Sequence, residues 1–481
     1  MHERTRSPAL LAIPALFLTL LACGGTPDST PAGAPEDARA EAFLDTLQER
    51  TFRFFWELSD PETGLTPDRA PSESFASTAA VGFALTSYPI GAERGFVTRA
   101  EAAERVLRTL RFFRDAPRDS AVTGSTGYRG LYYHFLDRKS GHRFEKVELS
   151  TVDTALLLAG ALFCQSYFDG EGGGEAEIRE IADTLYARAD WDWARPRPPT
   201  IVLGWTPEEG FLPYDWRGYN EAMILYILAL GSPTHPVGSE AWEAWTSNYR
   251  WGDCYGQEHV GFPPLFGHQY THVWIDFRGI RDLYMKEKGI DYFENSRRAA
   301  LAQRAYAALN PNGWKAYGPL AWGLTACDGP VHAALEFGGG TRQFHTYWAR
   351  GASFTEVRDD GTICPSGAAA SLPFAPEIVI PTLLSMRETY GEHLFGEYGF
   401  LDAFNPSFTF DVQVQHGRVV QDVGWFDTDY LGIDQGPIVA MIENYRTGLV
   451  WETMRRNPHV VRGLRAAGFT GGWLDSSRVE P

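Results

Sequence analysis

The sequence has no run of Lys or Arg after its first six residues, and acidic residues outnumber basic ones enough to give a formal net charge of -18 over 481 residues. Nucleic acid, which is held by clustered cations that displace counterions, is excluded as a partner. A phosphate-cradling loop is missing too, because FGGGTR at 337–342 carries no Lys-Ser/Thr and follows no convincing strand. There is no G-x-S-x-G elbow and no H-E-x-x-H. His268, His272 and Asp276 recur at intervals of four in HQYTHVWID and could share a helical face around a metal. His268 follows Gly267 in what reads as a loop, so neither metal nor cofactor is expected. Cysteine is scarce: after Cys23 only Cys164, Cys254, Cys327 and Cys364 remain, too widely spaced for a zinc motif. They admit two disulfides in three pairings without selecting one. Cys164, inside ALLLAGALFC, reads as a buried thiol.

The apolar run Ala9–Ala22 is too short to cross a bilayer comfortably. Arg4 and Arg6 precede it and it ends in LLACGG, the pattern of an export signal. LLAC resembles the bacterial lipobox, which implies cleavage after residue 22 and lipidation of Cys23. Residues 23–40, rich in Gly, Pro, Ser and Thr, read as a flexible tether, and 41–481 as one domain. The expected protein is exported and lipid-anchored at the cell envelope, at the outer membrane facing the periplasm. It should touch the membrane through that lipid alone and be a monomer.

From Glu41 onward, helical patterns alternate with loops rich in Gly, Pro and aromatics. Phe43, Leu47, Phe54 and Leu58 recur at helical spacing, and Thr98 with Glu101 forms a capping box ahead of Val106, Leu110 and Phe113. Further helices are expected over 74–87, 151–167, 175–189, 219–229, 239–249, 272–286, 292–308, 376–390 and 434–447, with one more near Val331. Strand signals are confined to segments around Tyr132 and Val202, and to a hairpin from Phe408 that turns at Gly417. About a dozen helices without strand-helix alternation make the chain all-α, and an α/α barrel is the closed arrangement of such pairs.

Aromatics make up 14% of the chain, with 15 Trp and 21 Tyr, and their flat faces suit stacking on sugar rings. Carboxylates recur beside them near helix starts. Glu148 and Asp153 flank LST; Asp215, Trp216, Tyr219 and Glu221 lie in YDWRGYNEAM; His272, Trp274, Asp276 and Arg278 crowd THVWIDFRG. Trp322 and Asp328 belong to WGLTACD, Glu377 follows LPFAP, and Trp425, Asp427, Asp429, Tyr430, Asp434 and Gln435 lie in WFDTDYLGIDQG. Taken singly, Asp153 and Asp434 suit helix N-caps, and Arg217 and Arg278 could simply pair with Glu221 and Asp276. Taken together, helix starts gathered at one end of a barrel would bring these groups round one cleft. One protonated and one ionised carboxyl flanked by aromatics suit glycosidic bond cleavage. The rivals are an eliminating lyase, disfavoured by the scarcity of Lys, and a glycan-binding lipoprotein that cuts nothing.

ELSTVDTALLLAG, YNEAMILYILALGSPTHP, THVWIDFRGIRD, LTACDGP, LPFAPE and YLGIDQGPIVAMIENYRTGLVW resemble, in order, the glucoamylase-like domain family of bacteria that contains the endo-β-1,2-glucanases of glycoside hydrolase family 144. The resemblance implies an (α/α)6 barrel and an inverting hydrolase that cuts linear β-1,2-glucan internally. It implies Glu221 as acid and Asp427 as base, with Asp429 and Asp434 as alternatives. Glu148 and Asp153 would bind sugar or orient the water. Asp215, Trp216, Tyr219, His272, Trp274, Asp276, Arg278, Trp322, Asp328, Glu377, Trp425, Tyr430 and Gln435 would line the cleft. Cys327 and Cys364 stand where small residues are expected in that family, leaving a local disulfide open. Glu443 and Asn444 are expected to fix neighbouring loops.

Overall fold

A computed structural model describes residues 36–477. The expected signal segment, Cys23 and the first part of the tether lie outside this range. The last five tether residues are already helical: the first helix spans Glu36–Leu58, because apart from Asp37 the stretch EDARAEA consists of Ala, Glu and Arg, which are good helix formers.

Six outer helices, Glu36–Leu58, Arg99–Asp115, Glu175–Arg188, Ser239–Thr246, Tyr292–Leu309 and Pro376–Tyr390, alternate along the chain with six inner ones. The inner set is Thr78–Glu93, Thr151–Tyr167, Met223–Gly231, Tyr270–Trp274, Pro365–Ala369 and Gly432–Arg446, forming an (α/α)6 barrel. Composition separates the two sets. Arg99–Asp115 has one buried stripe and the anticipated Thr98/Glu101 capping box, whereas Met223–Gly231 is buried on every face. Two inner helices meet where neither has a side chain. A Cβ on Gly82 would stand 2.3 Å from Leu156 O, and one on Gly160 2.2 Å from Gly82 O.

The inner helices begin from short strands and turns that carry the polar residues. Gly127–Tyr128, Leu131–Tyr133, Leu149–Ser150, Gly204–Thr206 and Gly210–Phe211 form a five-stranded antiparallel sheet, more than the separate strands expected around Tyr132 and Val202. Its register sets Tyr133 opposite Leu149 and Ser150 opposite Gly204. Ser150 then caps the following helix by accepting the Asp153 N–H.

Several expected boundaries move. The 272–286 helix is two pieces, Tyr270–Trp274 and Leu283–Lys288, separated by an extended Ile275 and the ion-paired Asp276–Arg278 turn. The 219–229 helix starts only at Met223, after a turn with Gly218 at φ 73°. Near Val331 there is a hairpin, Ala333–Phe337 with Gly340–Phe344, which turns at Gly338 and Gly339 within FGGGTR. The Phe408 hairpin lies later, Arg418–Val420 pairing with Gly424–Phe426. Helices Leu449–Met454 and Pro458–Ala466 were not anticipated. The second starts with an Asn457 cap and Pro458, and Gly463 allows its backbone onto Ile227.

Candidate active site

The starts of the inner helices surround a cavity of about 230 Å³ whose walls include Glu148, Asp153, Trp216, Glu221, Tyr270 and Tyr347. Ile433 belongs to the same wall, so Glu221 and the loop leading into Gly432–Arg446 share one end of the barrel.

Glu221 is set by the YNEAM turn, in which Asn220 Oδ1 accepts the Ala222 N–H at 3.0 Å. Among the described residues its carboxyl has no side-chain hydrogen-bond partner. Burial, with a smaller contribution from Asp153, raises it from 4.5 to about 7. Arg217 does not neutralise it, pairing instead with Asp215 at 3.5 Å. In the same cavity, His134 joins two carboxylates: Nδ1 lies 2.9 Å from Glu148 Oε1 and Nε2 3.6 Å from Asp153 Oδ1. Burial opposes the imidazolium, but Asp153 and Glu148 raise His134 to about 9. Burial likewise opposes ionisation of Glu148, and the His134 hydrogen bond and charge hold it below its ordinary value. Asp153 also accepts from the Ser150 hydroxyl. One cavity therefore contains a carboxyl that keeps its proton and a carboxylate that does not.

Asp427, Asp434 and Asp328 lie instead in a buried acidic cluster with Asp402. Oxygens of Asp328, Asp402 and Asp427 fall within 4.8 Å of one another, as do ligand atoms of Cys364, Asp402 and Asp434. Arg69 donates to Asp328 at 2.5 Å, and Ser366 Oγ to Asp434 at 2.7 Å. Asp427 accepts the N–H groups of Thr428 and Asp429 at one oxygen, while its Oδ2 has no partner among the described residues. Burial and then neighbouring carboxylates push Asp402 and Asp427 up, and burial brings Asp434 to about 7. Such oxygens can share protons or surround a hard cation. Asp434 makes no cap bond to its own helix. Asp429 accepts the Ser72 N–H at 2.9 Å and so ties two loops together.

Several expected cleft residues serve the scaffold instead. Asp215 is bound by Arg197 through two nitrogens, at 2.5 and 3.1 Å. Asp276 is chelated by Arg278 and also paired with Arg455. His272 is fully buried against Ser296 Oγ at 3.0 Å and burial lowers it to about 3, while His268 Nε2 contacts Phe262 O, so the proposed His/His/Asp metal face does not form. Trp274, Trp322 and Trp425 are core side chains whose indole N–H groups donate to Thr86, Thr382 and His416 O. Tyr219 packs against Tyr292, Tyr430 against Tyr398, Gln435 donates to Phe400 O, and Glu377 pairs with Arg297 on the outer wall. Glu443 holds Arg94 and Gln48, and Asn444 holds Val273 O, so the two brace neighbouring helices where loops were expected. All four cysteines after Cys23 are buried free thiols. His134, Asp402, Tyr270 and Tyr347 were missed: single polar residues in LYYHFLD or GFLDAFN have no spacing to mark them.

A family model described as "Putative glucoamylase" matches residues 213–458. An exo β-1,2-glucooligosaccharide sophorohydrolase (non-reducing end) of Parabacteroides distasonis is 30% identical over 459 residues, 88% of this chain; the chain spans 57% of that relative's length. An endo-β-1,2-glucanase of Chitinophaga pinensis, solved with sophorotriose and glucose, is 27% identical with a TM-score of 0.76, covering 90% of this chain and 99% of its own. A Bacteroides fragilis structure described as a "putative glucoamylase" is 30% identical with a TM-score of 0.78, covering 92% and 100%. With half of its length matched by the model and a barrel of the same build, this chain belongs to the glucoamylase-like family.

Proposed function

We propose that this chain is a glycoside hydrolase that cleaves β-1,2-linked glucan, with Glu221 as the general acid. The observation that carries this reading is the opposed pair in one cavity: Glu221 raised to about 7 and Glu148 held ionised beside His134. Glu221 protonates the glycosidic oxygen as the bond to the anomeric carbon breaks. Glu148 takes a proton from the water that attacks the opposite face, and His134 fixes its orientation. Asp427, which the motifs suggested as base, is a weaker candidate because its burial favours the neutral carboxylic acid. The β-1,2 linkage is supported by the names of the Parabacteroides and Chitinophaga relatives. Endo action is the reading taken from the Chitinophaga glucanase, which this chain matches over 99% of that protein's length.

The test is to incubate the protein with β-1,2-, β-1,3-, β-1,4- and α-linked glucans and separate the products. Oligosaccharides of mixed length from the β-1,2 polymer alone are expected. Disaccharide as the sole product assigns exo action, and binding without any product assigns a glycan-binding protein. Lipidation at Cys23 belongs to the same proposal: Cys23→Ser should move the protein from the membrane fraction to the soluble one.

A further inference from the structure

The cavity has one wall residue that folding alone does not account for. Tyr347 is 51% exposed although it lines the same space as Glu221. Exposed aromatic rings are ordinary on mobile loops, but this loop is pinned beneath. The Arg350 guanidinium is fully buried and clamps Asp360 through two bonds of 2.7 and 2.8 Å. It also donates to the carbonyls of His345 and Thr346, both at 3.2 Å, and of Trp348 at 3.4 Å, flanking position 347 on both sides. The same guanidinium donates to Cys327 O at 2.8 Å, fastening the partner strand, where Ala326 pairs with Ala349 and also lines the cavity. His345 stacks on Trp348 with ring centroids 3.9 Å apart and stiffens the loop from above. A buried charge with this many satisfied donors is costly to assemble, yet the loop it holds sets Tyr347 in the cavity wall, where among the described residues the side chain makes no hydrogen bond.

We propose that Tyr347 is a stacking platform for a glucosyl ring next to the bond that Glu221 protonates. The ligand class is a neutral β-linked glucooligosaccharide, whose axial C–H face packs on an aromatic ring while its hydroxyls reach the carboxylates opposite. Rigid presentation raises affinity because little loop entropy is lost on binding. The ring acts on binding, so kcat should depend on it much less than KM. The inference rests on the hydrolase reading, and its test separates the two.

Binding of a β-1,2-linked glucopentaose is measured by titration calorimetry on the Glu221→Gln protein and on the same protein carrying Tyr347→Ala or Tyr347→Phe. Tyr347→Ala should weaken binding about tenfold and Tyr347→Phe less than about twofold. In the active protein, Tyr347→Ala should raise KM by a similar factor with kcat within about threefold. Unchanged affinity in Tyr347→Ala, with pentaose binding intact, overturns the platform and leaves the hydrolase standing. Failure of the Tyr347-intact protein to bind any β-1,2-linked oligosaccharide removes the substrate reading and the platform together. A far-UV melt shows whether Tyr347→Ala is folded, as a half-exposed side chain should allow; should it not fold, Tyr347→Leu carries the same expectation.

Discussion

Replacing Glu221 by Gln should make the protein more stable and almost inactive, and the stability gain should depend on pH. Its carboxyl is raised from 4.5 to about 7, so ionising it in the fold costs about 3 kcal/mol more than ionising it in the unfolded chain. The sign is fixed by proton binding. Between pH 4.5 and 7 the folded state keeps a proton that the unfolded state has released, so stability falls through that window and stays reduced above it. Glutamine never ionises and escapes this loss. At pH 8 Glu221→Gln should exceed the wild type by about 1–3 kcal/mol, the lower end allowing for solvent reaching a half-buried group. At pH 4, where both side chains are neutral, the two proteins should agree within about 0.5 kcal/mol. Urea unfolding at the two pH values measures the difference. Turnover of β-1,2-glucan should drop about 10²–10⁴-fold in the variant, and the wild-type rate should decline on its alkaline side near pH 7. Equal stability gains at pH 4 and pH 8, or a rate flat through neutrality, would falsify the view of Glu221 as a proton-retaining acid.

Other expectations follow from the same cavity and its frame. Glu148→Gln should lower kcat at least 100-fold, while Asp427→Asn should stay within tenfold; the opposite ranking in initial rates returns the base to Asp427. His134 is raised to about 9, so its contribution to stability is complete below pH 6.5 and disappears as pH rises through about 9. His134→Gln should lack that alkaline loss in pH-dependent melts, and an unaltered profile counts against the ion triad. Gly82→Ala places a methyl 2.3 Å from Leu156 O between two inner helices, and should destabilise the fold by about 2–3 kcal/mol in chemical denaturation. A neutral result there would show that the crossing can open.

Much of the barrel was legible because period and caps are local. Thr151–Tyr167 and Pro376–Tyr390 fall where apolar spacing and flanking residues predict. The misjudged stretches are those where a distant partner decides. The helix expected from His272 ends at Trp274, and Asp276 in the turn that follows is held both by Arg278 and by Arg455, far along the chain. The site divides in the same way. Glu148, Asp153, Trp216 and Glu221 stand out as polar residues next to helix starts, and the structure gathers them in one cavity. Asp215 and Glu377 have the same local context, but each is taken up by an arginine that only the fold reveals, whereas Asp276 takes the nearby Arg278 that the sequence already offered. Tyr347 had no local signal, because its position depends on a guanidinium three residues later reaching back to carbonyls.

That reach has an evolutionary consequence. Arg350 grips the loop through main-chain oxygens, which every amino acid possesses, so residue 347 can be exchanged without loosening what supports it. Descendants of this barrel can alter which sugars they accept by single substitutions at the tip of an unchanging bracket, and a designer can use the same freedom.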